Sequence, residues 1–113
     1  MKIAITSTGK KLSDSVSELF GRCPYFIIAE IEAGKIVKTE ALKNESENQS
    51  SGAGMSAAKL LAENNVNAVI AKTIGPRAMD VLKQFNIDVY NGEGKIQNVL
   101  RILLIKNLKN NLI

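Results

Sequence analysis

The chain has 113 residues, 45% of them apolar, with 15 basic and 11 acidic side chains, a single cysteine and no histidine. That size fits one domain over residues 1–113. The lone thiol excludes an internal disulfide framework, which places the expected home in the reducing cytoplasm, and the missing histidine excludes a Ser-His-Asp hydrolase in its usual form.

The chain order opens with Lys2 to Thr8, where Ile3 and Ile5 among β-branched neighbours predict a central strand. The apolar run at this end is too short for the core of a signal peptide, and no later run approaches membrane-spanning length, so no membrane partner is expected. After a turn at Gly9-Lys10-Lys11, Ser13-Asp14 is placed to cap a short helical turn through Phe20, with Val16, Leu19 and Phe20 on one face. Pro24 to Glu32 is a second strand, and Ala33-Gly34 a hairpin turn into a third from Lys35 to Leu42. Charges interleaved with Ile36, Val37 and Thr39 put that third strand at an edge. Lys43 to Ser51 holds no apolar side chain and is expected to be a mobile loop.

A helix is predicted from about Gly54 to Asn65, burying Ala57, Ala58, Leu60, Leu61 and Ala62 and ending at Asn64-Asn65. Val66 to Lys72 follows as a buried strand, Pro76 to Phe85 as a helix opened by proline, and Ile87 to Tyr90 as a last strand. From Lys95 to about Lys109 the apolar residues cover more than one stripe of a helix, which offers surface to a partner or a second copy; residues 103–113 are expected to fray. The excess positive charge lies here, because residues 1–94 balance while Lys95, Arg101, Lys106 and Lys109 face no acid. Four dispersed charges without stacking aromatics read as a solvated face, so nucleic acid is not an expected partner. The order predicts a sheet with one antiparallel member and helices on both faces. Loops beginning near Thr8, Lys72 and Tyr90 then converge at the carboxyl ends of the parallel strands.

Three glycine-bearing turns sit at the boundaries of these elements: Gly21-Arg22-Cys23-Pro24-Tyr25-Phe26, Ser50-Ser51-Gly52-Ala53-Gly54 and Gly75-Pro76-Arg77. The second and third lead into helices, whose first turns carry unpaired N–H groups and partial positive charge, so an anion is the natural guest. The candidate binding residues are Arg22, Cys23, Ser51, Gly52, Ala53, Gly54, Gly75 and Pro76.

The motifs Gly21-Arg22-Cys23-Pro24-Tyr25-Phe26, Gly52-Ala53-Gly54, Ala68-Val69-Ile70-Ala71 and Gly75-Pro76, in that order, resemble the dinitrogenase iron-molybdenum cofactor biosynthesis family over residues 1–105. The resemblance is to small stand-alone members related to nitrogenase accessory proteins and to the C-terminal domain of the cofactor-assembly radical enzyme. It implies an α/β fold of ribonuclease H-like type, with three layers α/β/α around a five-stranded mixed sheet. It also implies a carrier of an iron–sulfur or molybdenum-containing metal–sulfur cluster or its precursor, serving cluster donor and acceptor proteins as a monomer or weak homodimer. For the metal–sulfur guest that the resemblance implies, Arg22, with Arg77 or Lys10, would supply neutralising charge, Cys23 a soft metal ligand and Met55 a neighbouring thioether. Each candidate has a plainer reading: Cys23 and Met55 as packing groups, Gly52 and Gly75-Pro76 as helix entrances, and the arginines as solvated side chains. One cysteine cannot supply the usual four thiolates of an iron–sulfur centre, so a cluster would be shared between subunits or held largely without covalent ligands. With no group bound tightly, the same turns suit an oxyanion- or nucleotide-binding regulatory module, or the C-terminal helix a partner-binding protein.

An enzyme is the remaining class. Metal-dependent nucleases need carboxylates converging on metal ions, and Lys2 to Thr8 has none; Glu30 and Glu32 read as a solvated strand end. Ser50-Ser51-Gly52-Ala53-Gly54 lacks the lysine of a P-loop. Cys23 has neither a resolving cysteine nor a histidine base. The expectation is a protein that binds without catalysing.

Overall fold

In the computed structural model, described over residues 1–105, five strands form one sheet and three helices cover it. The strands are β1 (Lys2–Ser7), β2 (Tyr25–Glu32), β3 (Lys35–Lys43), β4 (Ala68–Ala71) and β5 (Asp88–Asn91), in the spatial order β3-β2-β1-β4-β5. β2 runs antiparallel to both its neighbours, whereas β4 is parallel to β1 and to β5, so β2 is the one reversed strand of the mixed sheet. β3 lies at an edge, as its charge pattern predicts. Ala33 and Gly34 both take positive φ, 50° and 76°, the backbone twist that joins two antiparallel strands through a two-residue turn.

Alternation along the central strands divides the core in two. Ala4, Phe26, Ile28, Val69 and Ala71 face helices α1 (Ala53–Glu63) and α2 (Pro76–Gln84). Ile3, Ile5, Ile27, Ala29, Ile31 and Ile70 face α3 (Ile96–Ile105), which buries Ile96, Val99, Leu100 and Leu103 against them. This is the three-layer α/β/α arrangement. α1 begins at Ala53 and ends with Asn65 at φ 60°, close to the predicted bounds. Helix α3 buries Leu103, and the rest of the predicted helix and tail, 106–113, lies outside the described residues.

Two expectations are corrected. The segment from Ser13 to Phe20 is not helical, because its backbone is used to stitch together the carboxyl ends of the parallel strands. Ser17 N donates to Thr6 O, Val16 N to Gly94 O and Phe20 N to Thr73 O. Thr8 N donates to Ser15 O at 2.9 Å, so residues 8, 73 and 94 are tied to one connection and the predicted convergence of loops is real. Leu19, assigned to an apolar helical face, is left about half exposed.

The stretch after β3 is the second correction. It has a polar anchor in place of an apolar one: Asn44 is 1% exposed, and its Nδ2 donates to Gly21 O at 3.1 Å and Cys23 O at 2.8 Å while its Oδ1 accepts from Ser46 N at 3.0 Å. A buried amide with both ends satisfied fixes a loop as firmly as an apolar side chain does.

Candidate functional site

The three glycine turns meet. A Cβ on Gly21 would lie 2.6 Å from the backbone nitrogen of Gly54, and a Cβ on Gly54 would lie 3.0 Å from the Cβ of Ala78. The first turn thus packs backbone to backbone on the start of α1, and α1 packs on the first turn of α2. Side chains on Gly21 would hold these segments apart.

Beside this contact opens a cleft of about 430 Å³, walled by Gly21, Arg22, Gly52, Ala53, Gly54, Gly75, Pro76 and Arg77, with Leu19, Met55 and Thr73 among the remaining contributors. Both covering helices start there. Gly52 takes φ 71° as it enters α1, and Ser56 N makes the first intrahelical bond back to Gly52 O, so the N–H groups of Ala53, Gly54 and Met55 precede the ladder. In α2 the corresponding bond is Met79 N to Gly75 O; Arg77 and Ala78 contribute N–H groups, and Pro76 has none to leave unpaired. Among the described residues neither start carries a side-chain cap or an acid in its first turn. Among the described residues no acidic side chain lines the cleft, while two arginines do. Its field is therefore positive from two helix dipoles and two guanidinium groups.

The individual side chains sort differently. Arg22 lies at the cleft wall, but its Nη1 also donates to the backbone carbonyls of Glu47, at 3.2 Å, and Gln49. Ser51 is exposed outside the wall, its carbonyl accepting from Gln49 Nε2 at 2.6 Å. Met55 is at the cleft, 39% exposed. Lys10 is not at the wall; its ammonium lies 5.6 Å from the centre of the Tyr25 ring, with Lys43 at 5.8 Å.

Cys23 is wholly buried, in the cluster with Phe20, Phe26 and Ala57. Its Sγ donates to Phe20 O at 3.2 Å. Burial pushes the thiol up to about 12 from an ordinary 9.0, against smaller opposing hydrogen bonds from the Ser7 backbone and the Asn44 side chain. In this conformation the thiol packs beneath the cleft, and the soft-ligand role has no geometric support. Among the described residues no group of three or more acidic, cysteine or histidine side chains is arranged to hold a metal ion. The donor set fits an anion held by hydrogen bonds and charge, and does not fit a cluster held by thiolates.

Asn44 and Thr73 are the functional neighbours that sequence reasoning missed. Asn44 fixes the Gly21–Cys23 turn, and its signal was present in the Asn-x-Ser spacing of an Asx turn after a strand. Thr73 accepts the Phe20 backbone bond through its carbonyl, for which side-chain identity gives no sign.

Comparison with known proteins agrees with this geometry. The family model described as dinitrogenase iron-molybdenum cofactor matches residues 1–104. An uncharacterised protein of Methanocaldococcus jannaschii is 44% identical over 90 residues, covering 80% of this chain and 73% of its own. The apo form of the orange protein from Desulfovibrio gigas superposes with a TM-score of 0.85 at 27% identity, over 93% of this chain and 88% of that one. A Thermotoga protein proposed as NifB gives 0.73 at 30% identity, over 98% and 89%. No helix among the described residues is long and apolar enough to cross a membrane. With the family model matched over residues 1–104 and a relative 44% identical over 90 residues, this chain belongs to the dinitrogenase iron-molybdenum cofactor family.

Proposed function

We propose that the chain binds and carries an anionic metal–sulfur cluster, or a precursor of one, in the cleft between the first turns of α1 and α2. The observation that carries this reading is the pairing of two uncapped helix starts, free of first-turn acids, on one cavity that two arginines wall and no carboxylate enters. Membership of a family named for the iron–molybdenum cofactor supports a sulfide-bridged cargo over other anions. A volume of about 430 Å³ falls within the range of roughly 300–1,000 Å³ common for small-molecule sites.

The cargo is held by backbone N–H groups at Ala53, Gly54, Met55, Arg77 and Ala78 and by the guanidinium groups of Arg22 and Arg77. Gly52, Gly75 and Pro76 shape the two helix entrances. Ser51 contributes through the turn that leads into α1. Without a thiolate bond to break, release to an acceptor protein requires only exchange of hydrogen bonds, which suits a carrier working in the cytoplasm between cluster donor and acceptor. The role is binding and transfer of the cargo, with chemistry left to the donor and acceptor proteins.

Anaerobic titration with tetrathiomolybdate and with a reconstituted iron–sulfur cluster, followed by desalting, tests the reading. Retained stoichiometric metal and sulfide with visible absorption is the expected result. A colourless, metal-free eluate in both cases overturns it. Burial of Cys23 favours one alternative, a regulatory site for oxyanions or nucleotides that needs no thiol; tight retention of phosphate compounds with no retention of thiometallate would select it.

A further inference from the structure

The loop from Asn44 to Ser51 joins edge strand β3 to the entrance of α1, and it is held at two places of different character. Its base is permanent: the Asn44 side chain is buried and bonded on both ends. Its far part is held from outside by one side chain, because Arg22 Nη1 reaches the carbonyls of Glu47 and Gln49. Local turns, Glu47 N to Asn44 O at 3.2 Å and Gln49 N to Ser46 O at 3.0 Å, supply the remaining order. The clamp is itself exposed and is part of the cleft wall. A single guanidinium therefore serves both the loop and the cleft.

We propose that Arg22 is an exchangeable latch, which clamps the 44–51 loop through Glu47 and Gln49 and leaves those carbonyls for an anion entering the cleft, so that loading releases the loop. The inference rests on the anion-binding reading of the cleft. A guanidinium bonds an anion more strongly than it bonds neutral carbonyls, because direct charge–charge attraction adds to the hydrogen bonds and an anion can accept two parallel N–H bonds from the planar fork, whereas a carbonyl offers only a dipole. The abandoned carbonyls lie on an exposed loop and transfer to water at little cost. Asn44 holds the base through Ser46 in either state, so the swing is confined to residues 47–51. The loop then distinguishes loaded from unloaded protein at its outer surface, where a donor or acceptor protein would meet it.

Amide hydrogen exchange of Glu47 and Gln49, followed with and without tetrathiomolybdate, reads the latch through the turn bonds those amides donate to Asn44 O and Ser46 O, which loosen once Arg22 leaves the neighbouring carbonyls. In the wild type the probe is expected to accelerate both amides by roughly tenfold, the order set by opening a turn that one net hydrogen bond had held closed. In Arg22→Ala the two amides are expected to exchange at the fast rate from the outset and to ignore the probe. Equal exchange in the unloaded wild type and Arg22→Ala overturns the latch. So does tetrathiomolybdate that is retained by the wild type without altering either amide, a result that leaves the cleft reading intact. If no variant retains the probe, the cleft reading and the latch fall together.

Discussion

The two faces of the sheet are packed differently. Toward α3 the core is branched and bulky, with Ile3, Ile5, Ile27, Ile31, Ile70, Leu100 and Leu103 in one cluster. Toward α1 and α2 it mixes five alanines, Ala4, Ala57, Ala58, Ala71 and Ala78, with larger side chains such as Phe20, Phe26, Leu61 and Leu82. Both faces bury apolar area, but the second also gives proximity: small residues let the backbone of the Gly21 turn, α1 and α2 come within touching distance. The cleft therefore opens on one side of the sheet only.

Leu100→Ala tests the division at its strongest. It empties space on the α3 face and is expected to cost about 2–5 kcal/mol in chemical unfolding, yet to leave tetrathiomolybdate retention per folded molecule unchanged. Loss of retention by the folded fraction would erase the distinction between the faces. Gly21→Ala makes the reverse test. The added carbon meets backbone at 2.6 Å, so α1 and the turn must part; a stability loss of about 1–3 kcal/mol is expected together with loss of retention. Asn44→Ala leaves the carbonyls of Gly21 and Cys23 without that donor and is expected to cost about 1–3 kcal/mol, with the first turn loosened and retention weakened.

Cys23 gives the smallest effect on binding and a separate pH signature. Because folding raises the thiol from 9.0 to about 12, the unfolded chain loses the proton first. The thiol's contribution to stability is complete below pH 9 and declines as pH rises from 9 toward about 12. Subtracting the alkaline unfolding profile of Cys23→Ala from that of the wild type should isolate the decline. At pH 8 the native thiolate fraction should be ~1000-fold below that of an exposed cysteine, and disulfide-reagent labelling correspondingly slow. Retention of tetrathiomolybdate should survive Cys23→Ser. Its loss in a well-folded variant would return the sulfur to the site.

Much of the fold is legible in the sequence because local signals and packing agree. The Ala33-Gly34 turn, the charged edge strand and the proline-led α2 each follow from residues that act on their own neighbourhood. The sequence misleads where distant backbone decides. Ser13 to Phe20 has an acceptable helical pattern, but its N–H groups are claimed by Thr6, Gly94 and Thr73, none of which is near in the chain. The loop after β3 looked unanchored because anchoring was sought in apolar side chains, while Asn44 supplies it with an amide. At the cleft, the meeting of the three glycine turns and two arginines was legible in the sequence, since each turn stands at an element boundary. The inward turn of Cys23 was not, since an Arg-Cys-Pro sequence does not say which way the sulfur points.

The contact of Gly21 with Gly54 also inverts the usual logic of mutational mapping. A site made of main-chain donors has few functional groups to delete, so replacing side chains one by one with alanine would pass over most of it in silence. What destroys it is the gain of a methyl group. Relatives could therefore diverge widely in side-chain identity around such a cleft and keep its chemistry, provided that a few positions continue to carry nothing at all.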